Sequence, residues 1–309
     1  VKDVHFELER GIARRPNVHR GPVIATQEGR SKQVVAVTGI ESPWGPALLR
    51  ELLQAGKTVV ALMSRRRTAA AFASENQRGG LHLVWGREDN PTRLHSLLAI
   101  HEVTQIYHLD RISTSLVSAL TWALRRYRRD LPVITLQNST TAEAARQLLQ
   151  SFCIRYGIVE VDELFGPGII GTPGSVDAHR QQKEAGHSLP ELAVDGIDHG
   201  NESKRDYVYV SDAALALRMV AQEVIMRQQS LTVSFRSGWQ FTSAEWRALQ
   251  ERARAGELCI PTVMTPVHPL GWQPQHSLAE ALRASYGGDA ISATTSESSQ
   301  SSSAQRRAA

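Results

Sequence analysis

The chain has 309 residues and is 41% apolar, long enough for one large domain or for two that share an interface. No apolar run approaches the roughly 18 residues of a membrane span, so a soluble protein of the cytoplasm or an organelle matrix is expected. The net charge of +4 comes from thirty arginines, scattered without an aromatic-interleaved stripe, and five lysines, which argues against a nucleic-acid partner.

Residues 1–32 are polar and interrupted by Arg-Arg-Pro and Arg-Gly-Pro breaks, and they read as an extension. The chain begins at Val1, so processing or excision from a longer chain is expected. The arginines of this stretch fit a targeting sequence, whereas Glu7, Glu9 and Glu28 argue against a clean transit peptide. Gln33 to Val37 is a strand, followed by TGIESPWG (Thr38 to Gly45) and by the helical period of PALLRELLQAG, closing on Gly56. KTVVALM, LHLVWG and VTQIYHL read as three further strands. Ser115 to Tyr127 is helical, with its basic end RRYRRD favourable at a helix C-terminus. LPVITLQ is a strand, AEAARQLLQSFCIRYG a helix and IVEVDELF a single strand. The alternation predicts an α/β fold of Rossmann type, a doubly wound parallel sheet, with ligands beyond the carboxyl ends of its strands. The run from Ile291 is serine-rich and apolar-poor, and residues 287–309 are expected to be a disordered tail.

Within TGIESPWG, Ser42 and Pro43 also form a helix-start pair, an N-cap followed by proline at N1. A serine cap would take the amide that a phosphate needs, and each proline removes a donor. Cys153 and Cys259 lack metal-ligand spacing, and no His, Cys or carboxylate cluster supplies it, so no metal is expected.

Several segments in order resemble the extended short-chain dehydrogenase/reductases, the NAD-dependent epimerase/dehydratases of nucleotide sugars. TGIESPWG is similar to the family's TGxxGxxG, IYHLD to YHLAA, and FGPG (Phe165 to Gly168) to YGPG. KRDYVYVSDAALAL is similar to RDYVYVDD, SGW (Ser237 to Trp239) to a GSG turn, and LGWQPQHSLAEALRASY to the family's ending. The resemblance runs from about Gln33 to Tyr286. It implies a nucleotide-binding Rossmann domain over 33–168 and a smaller substrate-type region over 169–286, partly interleaved with the sheet.

The resemblance further implies a dinucleotide held by Thr38, Gly39, Ser42, Trp44 and Gly45, with His108 and Leu109 on the neighbouring loop. Ser64, Arg65 and Arg66 follow the second strand where an acidic residue usually holds the ribose. Arginines there suit a 2′-phosphate, favouring NADP over NAD, and suit a solvated basic turn equally well. Arg87 stands where an adenine-contacting aspartate is usual, and Asp110 replaces a small residue beside the cofactor. Ser139 and Thr140 match the family's catalytic hydroxyl or are turn and cap residues. None of the six tyrosines has a lysine four residues on, and no lysine occurs between 58 and 182. A phenol with a pKa near 10 is a poor base without such a cation. His108 is a weak substitute base, and Glu163 a weaker one. Arg205 is similar to an arginine that contacts a nucleotide-sugar diphosphate, or else forms an ion pair. Asp206 and Asp212 are expected to fix local structure, the latter as cap of the following helix; Trp272 and Pro274 are expected to pack. Relatives dimerise through helices corresponding to 115–127 and 142–156, so a homodimer or a larger complex is a possible assembly. The expected function is a non-catalytic nucleotide-binding or accessory subunit; the alternative is an active enzyme with non-standard catalytic groups.

Overall fold

The computed structural model describes residues 33–64, 72, 79–127, 129–167, 203–257, 268 and 270–286. The N-terminal extension, the serine-rich tail, Arg65, Arg66, Gly168 and Cys259 lie outside the described residues.

Strand β1 (Val34–Thr38) is almost wholly buried, as a central parallel strand covered on both faces should be. It pairs in parallel with β2 (Thr58–Met63) on one side and β4 (Gln105–His108) on the other. β3 (Leu81–Trp85) flanks β2, and β5 (Val133–Asn138) and β6 (Tyr156–Val161) continue beyond β4. The seventh strand, β9 (Leu231–Ser234), pairs with β6, giving the order β3-β2-β1-β4-β5-β6-β9 with every pair parallel. Successive strands move outward in opposite directions from β1, so the switch point lies between β1 and β4. There Thr38 stands opposite Leu62 on one side and His108 on the other.

Helix α1 (Gly45–Gln54) buries Leu48, Leu49 and Leu52, one apolar face at helical spacing. A helix not foreseen, α2 (Pro91–Ile100), begins with Asn90, whose side chain accepts the Arg93 N–H at 3.0 Å. α3 (Thr114–Tyr127) and α4 (Ser139–Ser151) cover the same sheet face as α2. The predicted helix over AEAARQLLQSFCIRYG stops earlier: Cys153 takes a left-handed φ of 54°, and Tyr156 and Gly157 already belong to β6. The predicted strand IVEVDELF also divides, at Asp162. β6 ends at Val161, and β7 (Glu163–Phe165) joins β8 (Arg205–Tyr209) and β10 (Gln240–Phe241) in a second sheet.

Helix α5 (Val210–Arg227) packs on the face opposite α2–α4, where Leu217, Val220 and Val224 share one core with α1, Val35 and Val59. Asp212 lies in its first turn and is not its cap, which is Tyr209. Instead the Asp212 carboxylate accepts the Gln275 N–H at 3.1 Å and approaches His276 Nδ1 at 3.0 Å. Its carbonyl accepts the indole N–H of buried Trp272, and together these contacts anchor the segment before α7 (Leu278–Tyr286). Asp206 is buried and accepts the Ser237 and Gly238 N–H groups at 2.7 and 2.8 Å, fixing the SGW turn. The second sheet is covered by α6 (Ser243–Arg254), whose Trp246 stacks on Tyr207 at 4.0 Å between ring centres. No helix among the described residues is long and apolar enough to cross a membrane.

Candidate functional site

The turn from Gly39 to Gly45 joins β1 to α1 at the switch point. Gly39 has φ +69°, and a Cβ there would meet the Asp110 backbone and side chain at 3.2 Å. A Cβ on Gly45 would lie 2.0 Å from the Ile40 carbonyl oxygen. Both glycines are therefore demanded by the backbone. Ser42 does not cap α1 as expected. The Ser42 N–H donates to the Gly39 carbonyl and the Gly45 N–H to the Ser42 carbonyl, so a tight turn intervenes and Trp44 becomes the N-cap. The Ser42 hydroxyl is buried without a hydrogen-bond partner.

A cleft of about 630 Å³ opens over the carboxyl ends of β1 to β4, bounded by Gly39, Ser42, Ser64 and Gly86. Four carboxylates line it: Glu41 from the glycine turn, Glu88 and Asp89 from the loop after β3, and Asp110 from the loop after β4. Ser64, expected at the ribose, donates its hydroxyl to Glu41. Arg87 is the one cation among the described lining residues, and Asp89 holds it by two hydrogen bonds of 2.9 and 2.6 Å. Burial pushes the Glu88 carboxyl up to about 7, and Asp110, Asp89 and Glu41 add to the rise.

His108 is completely buried and lines neither cleft. Its Nε2 lies 3.4 Å from the Arg111 carbonyl, which can only accept, so Nδ1 accepts the Thr38 hydroxyl at 2.8 Å. Burial lowers its pKa to about 4, so the imidazole is neutral and its 3.8 Å approach to Glu88 is no ion pair. Both ring nitrogens are engaged within the protein, at Thr38 and at the Arg111 carbonyl.

A second cleft of about 450 Å³ lies against β5, β6 and β7, floored by Trp44, Leu109 and Leu136. Asn138 caps α4, its carboxamide oxygen accepting the Thr141 N–H at 2.9 Å and the Thr140 hydroxyl at 2.8 Å. The Ser139 hydroxyl bonds to Asp162. Neither Ser139 nor Thr140 lines the cleft; Thr141 does. Burial raises the Asp162 pKa, but the Arg236 guanidinium prevails and holds it below the usual carboxylate range. Glu163 lines the cleft and pairs with Arg205, which is 54% exposed and does not itself line the cleft.

None of the six tyrosines is among the described residues lining either cleft. Tyr107 is buried, its phenol pushed up by desolvation and bonded by Gln105. Tyr156 and Tyr286 take bonds from Gln150 and Gln250, while Tyr127 donates to the Val103 carbonyl. Of the described lysines, Lys57 bonds Gln33 at the far end of the sheet, and Lys204 precedes β8.

The residues that sequence reasoning missed are Glu41, Glu88, Asp89, Arg111 and the Asp162–Arg236 pair. The only trace of the first three is that each lies within four residues of a strand's carboxyl end. For a dinucleotide, the first cleft fits in its volume and glycine turn, and does not fit in the charge of its described lining.

Residues 35–124 match the NAD dependent epimerase/dehydratase family. No curated protein matches the chain. Among solved structures, UDP-glucose-4-epimerase from Stenotrophomonas maltophila, with bound NAD and formylated UDP-arabinopyranose, superposes with a TM-score of 0.64 at 18% identity. That match covers 85% of this chain and 99% of the epimerase. UDP-glucose 4-epimerase from Brucella ovis in complex with NAD gives 0.57 at 16% identity, covering 83% and 98%. The UDP-Glc/GlcNAc 4-epimerase of Campylobacter jejuni gives 0.58 at 12%, covering 81% and 96%. At these identities the structures share the fold. The sequence match to that family spans β1 to α3, and the architecture is the fold of these epimerases.

Proposed function

We propose that the protein is a non-catalytic member of this family, serving as a nucleotide-binding or structural accessory subunit. The observation that carries the reading is the content of the second cleft, which has no tyrosine or lysine among its described lining residues. Oxidising a sugar hydroxyl requires a base that can take its proton at neutral pH, and a neighbouring cation is what makes a phenol such a base. Of the carboxylates that line the cleft, Asp162 is held by Arg236 and Glu163 by Arg205, while Asp110 accepts the Arg111 backbone N–H.

The alternative, an active epimerase, dehydratase or reductase with relocated groups, would need Asp162 or Glu163 to leave its arginine, or Asp110 to serve as the base. The ligand class assigned to the second cleft is a nucleotide sugar, with Arg205, the partner of the lining residue Glu163, as a diphosphate contact; the UDP-sugar bound in a solved epimerase of the same fold motivates the choice. NADP or NAD is the dinucleotide class that the family likeness implies for the first cleft, and the carboxylates that line it oppose either one. A preference for NADP rests on Arg65 and Arg66, and a homodimer through α3 and α4 follows from the family likeness.

The test is turnover. Purified protein is incubated with UDP- and dTDP-sugars and with added NAD or NADP, and products are separated by chromatography. We expect no epimer, dehydrated sugar or reduced cofactor. Turnover that disappears on Asp110→Asn, Asp162→Asn or Glu163→Gln would establish the alternative.

A further inference from the structure

Loss of catalysis does not decide whether a dinucleotide still binds; the charge of the first cleft does. In this fold the pyrophosphate lies at the glycine turn, where backbone N–H groups and the N-terminus of the first helix offset its charge. Here part of that donor set is removed or used. Pro43 and Pro46 have no N–H, the Ser42 N–H is given to Gly39, and the Gly45 N–H is given to Ser42. Glu41, Glu88, Asp89 and Asp110 then line the same cleft, and Arg87 is already held by Asp89. Gly39 brings Asp110 directly against the turn.

We infer that the cleft has kept the shape of a dinucleotide site while reversing its charge, so that its own carboxylates exclude the pyrophosphate of NAD and NADP near neutral pH. Unit charges a few ångströms apart at a protein surface interact strongly enough for each removed carboxylate to change affinity severalfold. Glu88 and Asp110 are the decisive pair, because one is half-buried among other carboxylates and the other abuts the turn.

The experiment is a titration with NADH and with NADPH at low salt and pH 7.5, followed by nicotinamide fluorescence and calorimetry. It uses the wild type, Glu88→Gln alone, and Glu88→Gln with Asp110→Asn. Both substitutions keep side-chain size, and thermal melts verify folding. A remote pair, Glu143→Gln with Glu257→Gln, matches the change in net charge. The wild type should show no saturable binding below millimolar concentration. The cleft double variant should bind at least tenfold more tightly than the wild type, and the remote pair no more tightly. Micromolar binding by the wild type overturns the inference, as does a folded double variant without gain, or an equal gain from the remote pair. Sugar turnover is not part of this readout, so the exclusion and the non-catalytic reading can fail separately.

Discussion

Glu88 illustrates how much a single carboxylate can reveal about this site. Its pKa stands near 7 in the folded chain, against about 4.5 when exposed, because ionisation is opposed by burial and by three neighbouring acids. A raised carboxylate pKa means that the folded state holds its proton more tightly than the unfolded chain. The resulting penalty is absent below about pH 4.5, grows as pH rises through 7, and is complete above it. The side chain is 34% exposed, so solvent screening reduces the effect to about 1 kcal/mol. Glu88→Gln should therefore raise the melting temperature at pH 8 and leave it nearly unchanged at pH 4.5; equal shifts at both would refute the assignment. The groups facing Glu88 are Glu41, Asp89, Asp110, neutral His108 and the Asp89-bound Arg87, and none supplies a free cation. At Gly45 the expectation is steric. With the Ile40 carbonyl 2.0 Å from a would-be Cβ, Gly45→Ala should cost about 3 kcal/mol or prevent folding, read by chemical denaturation. Both glycines were legible in the sequence because a turn motif names them. The carboxylate convergence was not, since its members come from three loops that only the sheet brings together.

At the scale of elements, legibility followed how local the signal is. β1, β2, β4 and β5 are buried strands rich in apolar residues, and their positions agree with the sequence reading to within a few residues. Helix α2 was missed although Asn90 and Pro91 form a standard start, because its buried Leu94, Leu97 and Leu98 are diluted by Arg93, His95 and Ser96. The break at Asp162 was hidden for the opposite reason: apolar residues continue across it while the chain passes from one sheet to another. Asp212 was misread as a cap because a helix-start aspartate looks the same whether it bonds its own helix or a distant backbone. Asp212→Ala leaves the Gln275 N–H without its acceptor and releases His276, a loss of about 2 kcal/mol. Hydrogen exchange should quicken first over residues 270–286; quickening confined to the start of α5 would restore the capping role.

Across the whole molecule, the chain's two regions share one core. The sequence reading expects the region after residue 168 to be partly interleaved with the sheet; here β9 pairs with β6 and α5 covers the face that holds α1. Arg218 of α5 also pairs with Glu51 of α1 at 2.6 Å, both partners largely buried. Such a fold can lose catalytic groups without losing stability, because the buried valines and leucines that hold it lie beneath the clefts rather than in them. The same arrangement forbids independent folding of the first region. Without α5, Leu217, Val220 and Val224 leave the core, each worth about 1.5–3 kcal/mol of burial, and the faces of β1 and α1 beneath them are exposed. That sum is comparable to the whole stability of an ordinary domain. Residues 33–167 expressed alone should therefore show no cooperative thermal transition and should bind a dye for exposed apolar surface. The full chain should unfold in one step reported alike by tryptophan fluorescence and far-ultraviolet dichroism. Two separated transitions, with the first region melting as an autonomous unit, would show that the shared core is not what holds the fold together.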